Sequence, residues 1–166
     1  MKKILAFSIV MFAFTAGTFA QVSTTATATA TIVTPIAITK TTDMNFGNVA
    51  SSTTAGTVVL TPAGARSTTG GVTLPATVGT VSAAAFTVTG EAGFTYAITL
   101  PAAATTITSG ANNMTVNVWT SNPTPTGTLT GGTSTLTVGA TLNVGISQPS
   151  GTYVSGTPFT VTVNYN

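Results

Sequence analysis

The sequence predicts an all-β protein in which antiparallel sheets stack as a sandwich. Apolar and polar residues alternate with a period of two in several segments, which places them on opposite faces of a strand. Threonine supplies about a quarter of the chain, and its branched side chain suits a pleated sheet. Turn-forming glycine and proline separate these segments at near-regular spacing, which is typical of a two-sheet sandwich.

Residues 1–20 have the features of a secretory signal peptide. Lys2 and Lys3 form a positive start, Ile4 to Phe14 is a short apolar run, and small residues at Thr18 and Ala20 suit cleavage after Ala20. The apolar run is too short to span a bilayer comfortably. We therefore expect export, with no membrane span after cleavage.

Residues 21–34 form an uncharged segment without glycine or proline, and residues 35–166 form the predicted sandwich domain. The even positions from Val22 to Ile32 are apolar or threonine, and the same face continues through Ile36 and Ile38. Three interpretations stay open for this segment: the first strand of its own domain, a flexible leader, or a strand donated to a neighbouring subunit.

The clearest alternation predicts strands over residues 94–100, 114–118, 142–147 and 159–165. Shorter candidates are Met44–Val49, Thr57–Leu60, Val72–Leu74, Ala85–Thr89, Thr105–Thr108 and Thr133–Val138. The inward face of the clear strands predicts a buried set made of Phe94, Tyr96, Ile98, Val116, Val118, Val144, Ile146, Val161 and Val163. A small outer-membrane barrel is the alternative, but aromatic residues at 7% are few for its girdles.

Charged residues make up only 4% of the chain. After signal cleavage, Lys40, Arg66, Asp43 and Glu91 remain and sum to zero, so no basic surface for nucleic acid is expected. Histidine and cysteine are absent, which removes the usual general base, the thiol nucleophile and the main soft metal ligands. Two carboxylates are too few for a calcium cage. We expect no enzyme activity, no cofactor and no metal.

Seven sequence blocks form a recognisable series: 43–49, 56–66, 86–90, 95–101, 136–142, 148–153 and 159–165, the last of which reads Phe-Thr-Val-Thr-Val-Asn-Tyr. Together they resemble the uncharacterised bacterial family called domain of unknown function 4402. The resemblance covers nearly the whole mature chain and implies a secreted β-sandwich.

The ending from Gln148 through Gly151 and Tyr153 to Tyr165 is also similar, more weakly, to chaperone–usher pilin subunits of the spore-coat-U type. This resemblance implies an immunoglobulin-like sandwich that lacks one strand and receives it from the N-terminal extension of a neighbour. It also makes a periplasmic chaperone a candidate partner during transit.

These observations favour a secreted structural subunit of the bacterial cell surface, pilin-like or part of a surface layer, with a role in adhesion. An uncharged strand is an unprotected sheet edge unless something pairs with it, so self-association or pairing with related subunits is expected. The residues predicted to take part are Val22, Ala26, Ala28, Ala30, Ile32, Phe159, Val161, Val163 and Tyr165. The alternative function is a monomeric extracellular module that binds carbohydrate or matrix, with Trp119, Tyr96 or Tyr153 stacking on sugar rings.

Overall fold

A computed structural model describes residues 20–166 of the chain, and the predicted signal peptide lies outside the described residues except for Ala20. Residues 20–166 fold into strands and turns and contain no helix. Accordingly, no helix long and apolar enough to cross a membrane occurs in this part of the chain.

Thirteen strands account for the regular structure of residues 20–166, which confirms the predicted all-β class. They are β1 (Ala37–Thr42), β2 (Asn45–Phe46), β3 (Gly56–Leu60), β4 (Arg66–Gly70), β5 (Val81–Ser82), β6 (Ala84–Thr89), β7 (Thr95–Thr99), β8 (Thr105–Ser109), β9 (Asn112–Asn122), β10 (Thr126–Thr128), β11 (Thr133–Val144), β12 (Val154–Ser155) and β13 (Thr162–Tyr165).

All strand pairs are antiparallel, and they form three sheets. The largest has eight strands in the order β1-β6-β11-β9-β8-β12, with β3 pairing β11 and β4 pairing β3. A second sheet has the order β10-β7-β13, and a third consists of β2 and β5. The immunoglobulin-like arrangement stays a prediction.

Strand β11 organises the core because one of its sides pairs with two different strands. Thr133 to Val138 pair with β6, whereas Ala140 to Val144 pair with β3. The inward residues Leu136 and Val138 join a first core with Val88, Tyr96, Leu129 and Val163, while Leu142 and Val144 join a second core with Val58, Val72 and Val116.

Residues 20–36 contain no strand, and β1 begins at Ala37. The side chains of residues 20–32 are exposed, with Val22 at 95% and Ile32 at 96%. The compact unit that contains all the strands spans residues 33–166.

Three residues predicted to be buried are exposed instead. Phe94 lies in the turn before β7, and Ile146 lies beyond the end of β11 in a bend where Ser147 has a φ of 46°. Val118 is 66% exposed because β9 contains a bulge there: its φ is 49° and the register with β11 shifts between Gly139 and Thr141. A bulge inserts one residue and so breaks the alternation of faces.

The remaining residues that were predicted to face inward differ in how deeply their side chains are buried. Tyr96, Val116, Val144 and Val163 are buried, whereas Ile98 and Val161 are half-buried against the first core. Among the short candidates, Met44–Val49 shrinks to the two residues of β2, and Val72–Leu74 contributes a single bridge at Thr73.

Candidate functional site

An open groove of about 740 Å³ lies over the second core. Its floor consists of Val116 from β9 and Leu142 and Val144 from β11, which are otherwise almost fully buried. The sheet β10-β7-β13 contributes Tyr96 and Val163 to the first core, but no residue of that sheet belongs to the second core. At the groove, the second core is therefore not covered by the sheet β10-β7-β13.

Two irregular stretches form the walls of the groove. One wall is residues 44–51, with Met44, Phe46 and Val49 facing the cavity. The other is residues 148–155 together with Phe159, and it includes Tyr153 and the 61%-exposed Val154. The floor is thus apolar, whereas both walls combine apolar side chains with polar ones such as Asn48 and Gln148.

Hydrogen bonds fix the wall formed by residues 44–51. The Nη1 of Arg66 donates to the carbonyl oxygens of Phe46 at 2.5 Å and Asn48 at 3.0 Å. Gly47 is required between them because its φ is 68° and a Cβ there would lie 2.5 Å from the carbonyl oxygen of Val78. This wall is pre-organised even though little of it is strand.

The second wall is held by Gln148. Its Nε2 donates to the carbonyl of Asn113 at 3.1 Å and to the Tyr153 hydroxyl at 2.8 Å. The Ser51 hydroxyl donates to the carbonyl of Gln148 at 2.9 Å, which joins the two walls at one end of the groove.

The chain leads from the wall of the groove to a sheet edge that has no strand partner within residues 20–166. Phe159 lines the groove, stacks on Trp119 with ring centroids 4.5 Å apart, and lies three residues before β13 begins. β13 pairs with β7 on one side only, so its other edge has no strand partner within residues 20–166. Thr162 to Tyr165 contain no charged residue and no proline on that edge.

The edge of β1 is different, although β1 also pairs on one side only and its Cα atoms come within 8 Å of those of β13. Lys40 occupies the next position on the face of Ile36 and Ile38 and forms a 2.6 Å ion pair with Asp43. The register with β6 also shifts between Lys40 and Thr42. A charge and a bulge are two devices that protect edge strands from pairing, and β13 has neither.

The residues predicted to take part in strand pairing fall into two groups. Phe159 lies in the groove wall, Val161 and Val163 pack on the first core, and Tyr165 reaches Thr34 with its hydroxyl. The N-terminal group lies in the exposed segment without strand structure: Val22, Ala26, Ala28, Ala30 and Ile32. Their pairing with a sheet edge stays a prediction.

Sequence reasoning missed the wall at residues 44–51 and the role of Arg66. A signal was present, because Arg66 is the only arginine of the chain and ends one of the blocks that carry the family resemblance. The three aromatic residues considered for sugar stacking are separated: Trp119 and Tyr153 line the groove, whereas Tyr96 is fully buried with its hydroxyl donating to Ser134.

The two carboxylates of the described chain are both engaged. Asp43 pairs with Lys40, and the Glu91 carboxylate accepts the amide of Thr34 at 2.9 Å. That hydrogen bond, followed by one from the Thr34 side chain, lowers the pKa of Glu91. Within residues 20–166 no group of three or more potential metal ligands of the His, Cys, Asp and Glu types occurs.

A comparison with models of protein families gives a match, whereas searches of curated proteins and of solved structures found none. The profile of the family described as "Domain of unknown function (DUF4402)" matches residues 36–165. This range runs from just before β1 to the end of β13 and includes both walls of the groove. The chain therefore belongs to the DUF4402 family.

Proposed function

We propose that the protein is a secreted structural subunit of the bacterial cell surface, pilin-like or part of a surface layer, that assembles by strand pairing. The observation that carries this proposal is the edge of β13, which has no strand partner within residues 20–166, and the open groove over the second core supports it. A sandwich with such an edge is incomplete, and a strand supplied by a partner would complete it.

The occupant that fits is the N-terminal segment of a second copy. Residues 21–33 contain no charge, glycine or proline, so each of them can offer both of its backbone groups to a partner strand. In this arrangement, the backbone would pair along β13 while the even-numbered side chains enter the groove. The two sheets and the donated strand would together form the immunoglobulin-like sandwich.

The free energy of strand pairing would come mainly from burial of the side chains near the two ends of the segment and from its backbone hydrogen bonds. Val22 and Ile32 are almost fully exposed, and burying each side chain is worth about 1.5–3 kcal/mol. Ala26, Ala28 and Ala30 contribute less area, so backbone hydrogen bonds at about 0.5–1.5 kcal/mol each supply much of the rest. The small alanine side chains would also fit a shallow groove.

The cellular setting follows from the signal peptide. A chain exported with an unguarded edge is prone to premature association, so a periplasmic chaperone that covers the edge during transit is part of this proposal. The mature chain has no net charge, which leaves little electrostatic repulsion between copies at the surface.

The test compares residues 21–166 with a variant that carries Val22→Asp and Ile32→Asp. Charges on the even face would have to be buried, so this variant should stay monomeric while the parent forms oligomers or fibres. The matched control carries Ser23→Asp and Thr31→Asp, which add the same charge on the odd face. Light scattering after gel filtration and electron microscopy measure assembly as a function of concentration.

A second readout uses Trp119, the single tryptophan of the chain, which lines the groove. A peptide of residues 22–33 contains no tryptophan, so binding of the peptide to the double-Asp variant should change the emission of Trp119 alone. A scrambled peptide is the control. The subunit proposal is wrong if the parent is monomeric at every concentration and the peptide leaves the emission of Trp119 unchanged. In that case the groove would instead support the alternative function, a monomeric binding module.

A further inference from the structure

A β-bulge in β9 decides which side chain of that strand faces the groove. Met114 and Val116 line the groove, and regular alternation would bring Val118 to it next. Val118 instead has a φ of 49° and is 66% exposed, and the register with β11 shifts at this point. The extra residue changes the side on which the following residues lie, so Trp119 lines the groove in place of Val118.

The backbone conformation at Val118 is unfavourable for this type of residue. Valine is β-branched, and a positive φ brings its side chain into conflict with the backbone. Strained residues of this kind persist only where the surrounding structure fixes them, and they cluster at binding sites and active sites. The strain at Val118 accompanies the placement of the only tryptophan of the chain in an open groove. A binding role for Trp119 would account for it.

Contacts around Trp119 hold its ring and leave part of it accessible. The indole Nε1 donates to the carbonyl oxygen of Ala103 at 3.3 Å, so the polar group of the ring has a partner. The ring lies against Phe159 with centroids 4.5 Å apart and packs against both cores, yet it stays half-buried. Trp119 and Phe159 together offer an apolar surface inside the groove, and tryptophan is among the residue types enriched in binding hot spots.

The segment proposed to occupy the groove carries its two large side chains near its ends. Ile32 and Val22 are both almost fully exposed, and the even positions between them are alanine or threonine. β13 begins three residues after Phe159, so the end of the segment that reaches Phe159 sets the direction of pairing. With Ile32 there, the residues before it run antiparallel to β13. With Val22 there, the residues after it run parallel to β13.

The antiparallel arrangement is the favoured one. Every strand pair within residues 20–166 is antiparallel, and antiparallel pairing is slightly more stable per residue than parallel pairing. Isoleucine also has a larger apolar side chain than valine and gains more from burial against Trp119 and Phe159. Both considerations place Ile32 of a second copy in this part of the groove.

We propose that Trp119, aimed into the groove by the bulge at Val118, is the residue that selects Ile32 of a second copy and thereby fixes antiparallel pairing with β13. This inference rests on the proposed function and adds to it the anchored side chain and the direction of the donated strand. The bulge acts through Trp119, since Val118 itself does not line the groove.

The experiment is a double-mutant cycle between the groove and the segment. The acceptor is the chain of residues 21–166 with Val22→Asp and Ile32→Asp, which keep its own segment out of a groove, and it is compared with the same chain carrying Trp119→Leu or the more conservative Trp119→Phe. The probes are fluorescently labelled peptides of residues 22–33 with the native sequence, with Ile32→Ala, or with Val22→Ala as the matched control. Anisotropy gives the dissociation constants, and urea denaturation followed by circular dichroism checks that each acceptor is folded.

The peptide with Ile32→Ala should bind the acceptor that retains Trp119 about tenfold more weakly than the native peptide, because the isoleucine side chain is no longer buried. In Trp119→Leu the same change should weaken binding only about threefold, since contacting residues are not additive, and Trp119→Phe should lie between the two. Val22→Ala should weaken binding to all three acceptors by the same factor, because Val22 lies away from Trp119 in the antiparallel arrangement.

Two results would overturn this inference and leave the proposed function intact. One is an equal loss for Ile32→Ala in all three acceptors. The other is a loss for Val22→Ala that depends on Trp119, which would indicate parallel pairing. A native peptide that binds no acceptor, together with a parent that stays monomeric, would overturn the proposed function itself.

Discussion

Gly127 in β10 shows how closely single residues are fitted around the core. Tyr96 is fully buried, and a Cβ at Gly127 would lie 2.2 Å from the Cζ atom of its ring. The ring cannot move aside, because its hydroxyl is bonded to Ser134 at 2.8 Å. Gly127→Ala should therefore lower the free energy of unfolding by about 1–3 kcal/mol through overpacking, as measured by urea denaturation.

Gly156 provides the control for this substitution. Nothing lies within 4 Å of the position of its added Cβ, and its φ is not in the left-handed region. Gly156→Ala should change stability by no more than about 0.5 kcal/mol. Equal denaturation midpoints for the two variants would contradict the close contact between Gly127 and Tyr96.

Glu91 gives the protein an acid-sensitive contact. The hydrogen bonds from Thr34 lower its pKa below the ordinary value of 4.5, so the folded state favours the charged carboxylate. A carboxyl whose pKa is lowered by folding stabilises the folded state above its unfolded pKa, and the effect disappears as the pH falls through the lowered value. The protection of the Thr34 amide, taken relative to its intrinsic exchange rate, should therefore fall as the pH drops through the lowered pKa of Glu91, whereas in Glu91→Ala it should be low already at neutral pH. A parent whose Thr34 exchange follows only the intrinsic pH dependence would contradict this contact.

At the scale of elements, substitutions on the edge strands β1 and β13 are expected to have different effects on assembly. Thr162 in β13 and Thr39 in β1 are both exposed, so lysine at either site leaves the core unchanged. A lysine on an edge strand discourages pairing, so Thr162→Lys should abolish assembly if β13 is the acceptor. Thr39→Lys adds the same charge to a strand that Lys40 already protects and should assemble like the parent. Sedimentation at matched concentrations separates the two, and the reverse order would assign the acceptor edge to β1.

Sequence periodicity located most elements but could not follow backbone irregularities. The alternation at residues 94–100 and 159–165 corresponds to β7 and β13, and Tyr96 and Val163 are buried as predicted. Val118 is not, since the bulge in β9 depends on pairing with distant residues of β11. Residues 133–138 and 142–147 appeared as two strands because Gly139 and Ala140 interrupt the pattern of large apolar residues, yet they form the single strand β11 through Val144.

The candidate site was predictable only in part for a related reason. The N-terminal segment and the final strand stand out by composition and alternation alone. The groove walls are largely irregular segments held by tertiary hydrogen bonds, such as those of Arg66 to Phe46 and of Gln148 to Asn113. No local pattern encodes contacts between residues so far apart in the chain, so the groove required the three-dimensional arrangement.

For the molecule as a whole, the strand β11 that both cores share has a consequence for thermal unfolding. Since Leu136 lies in the first core and Leu142 in the second, neither core can lose its packing without disturbing a strand that the other needs. Scanning calorimetry should accordingly show one transition, with the van't Hoff enthalpy equal to the calorimetric enthalpy. Leu136→Ala and Leu142→Ala should each cost about 2–5 kcal/mol and shift that single peak as a unit. Two separate peaks in either variant would mean that the cores behave as independent cooperative units despite their common strand.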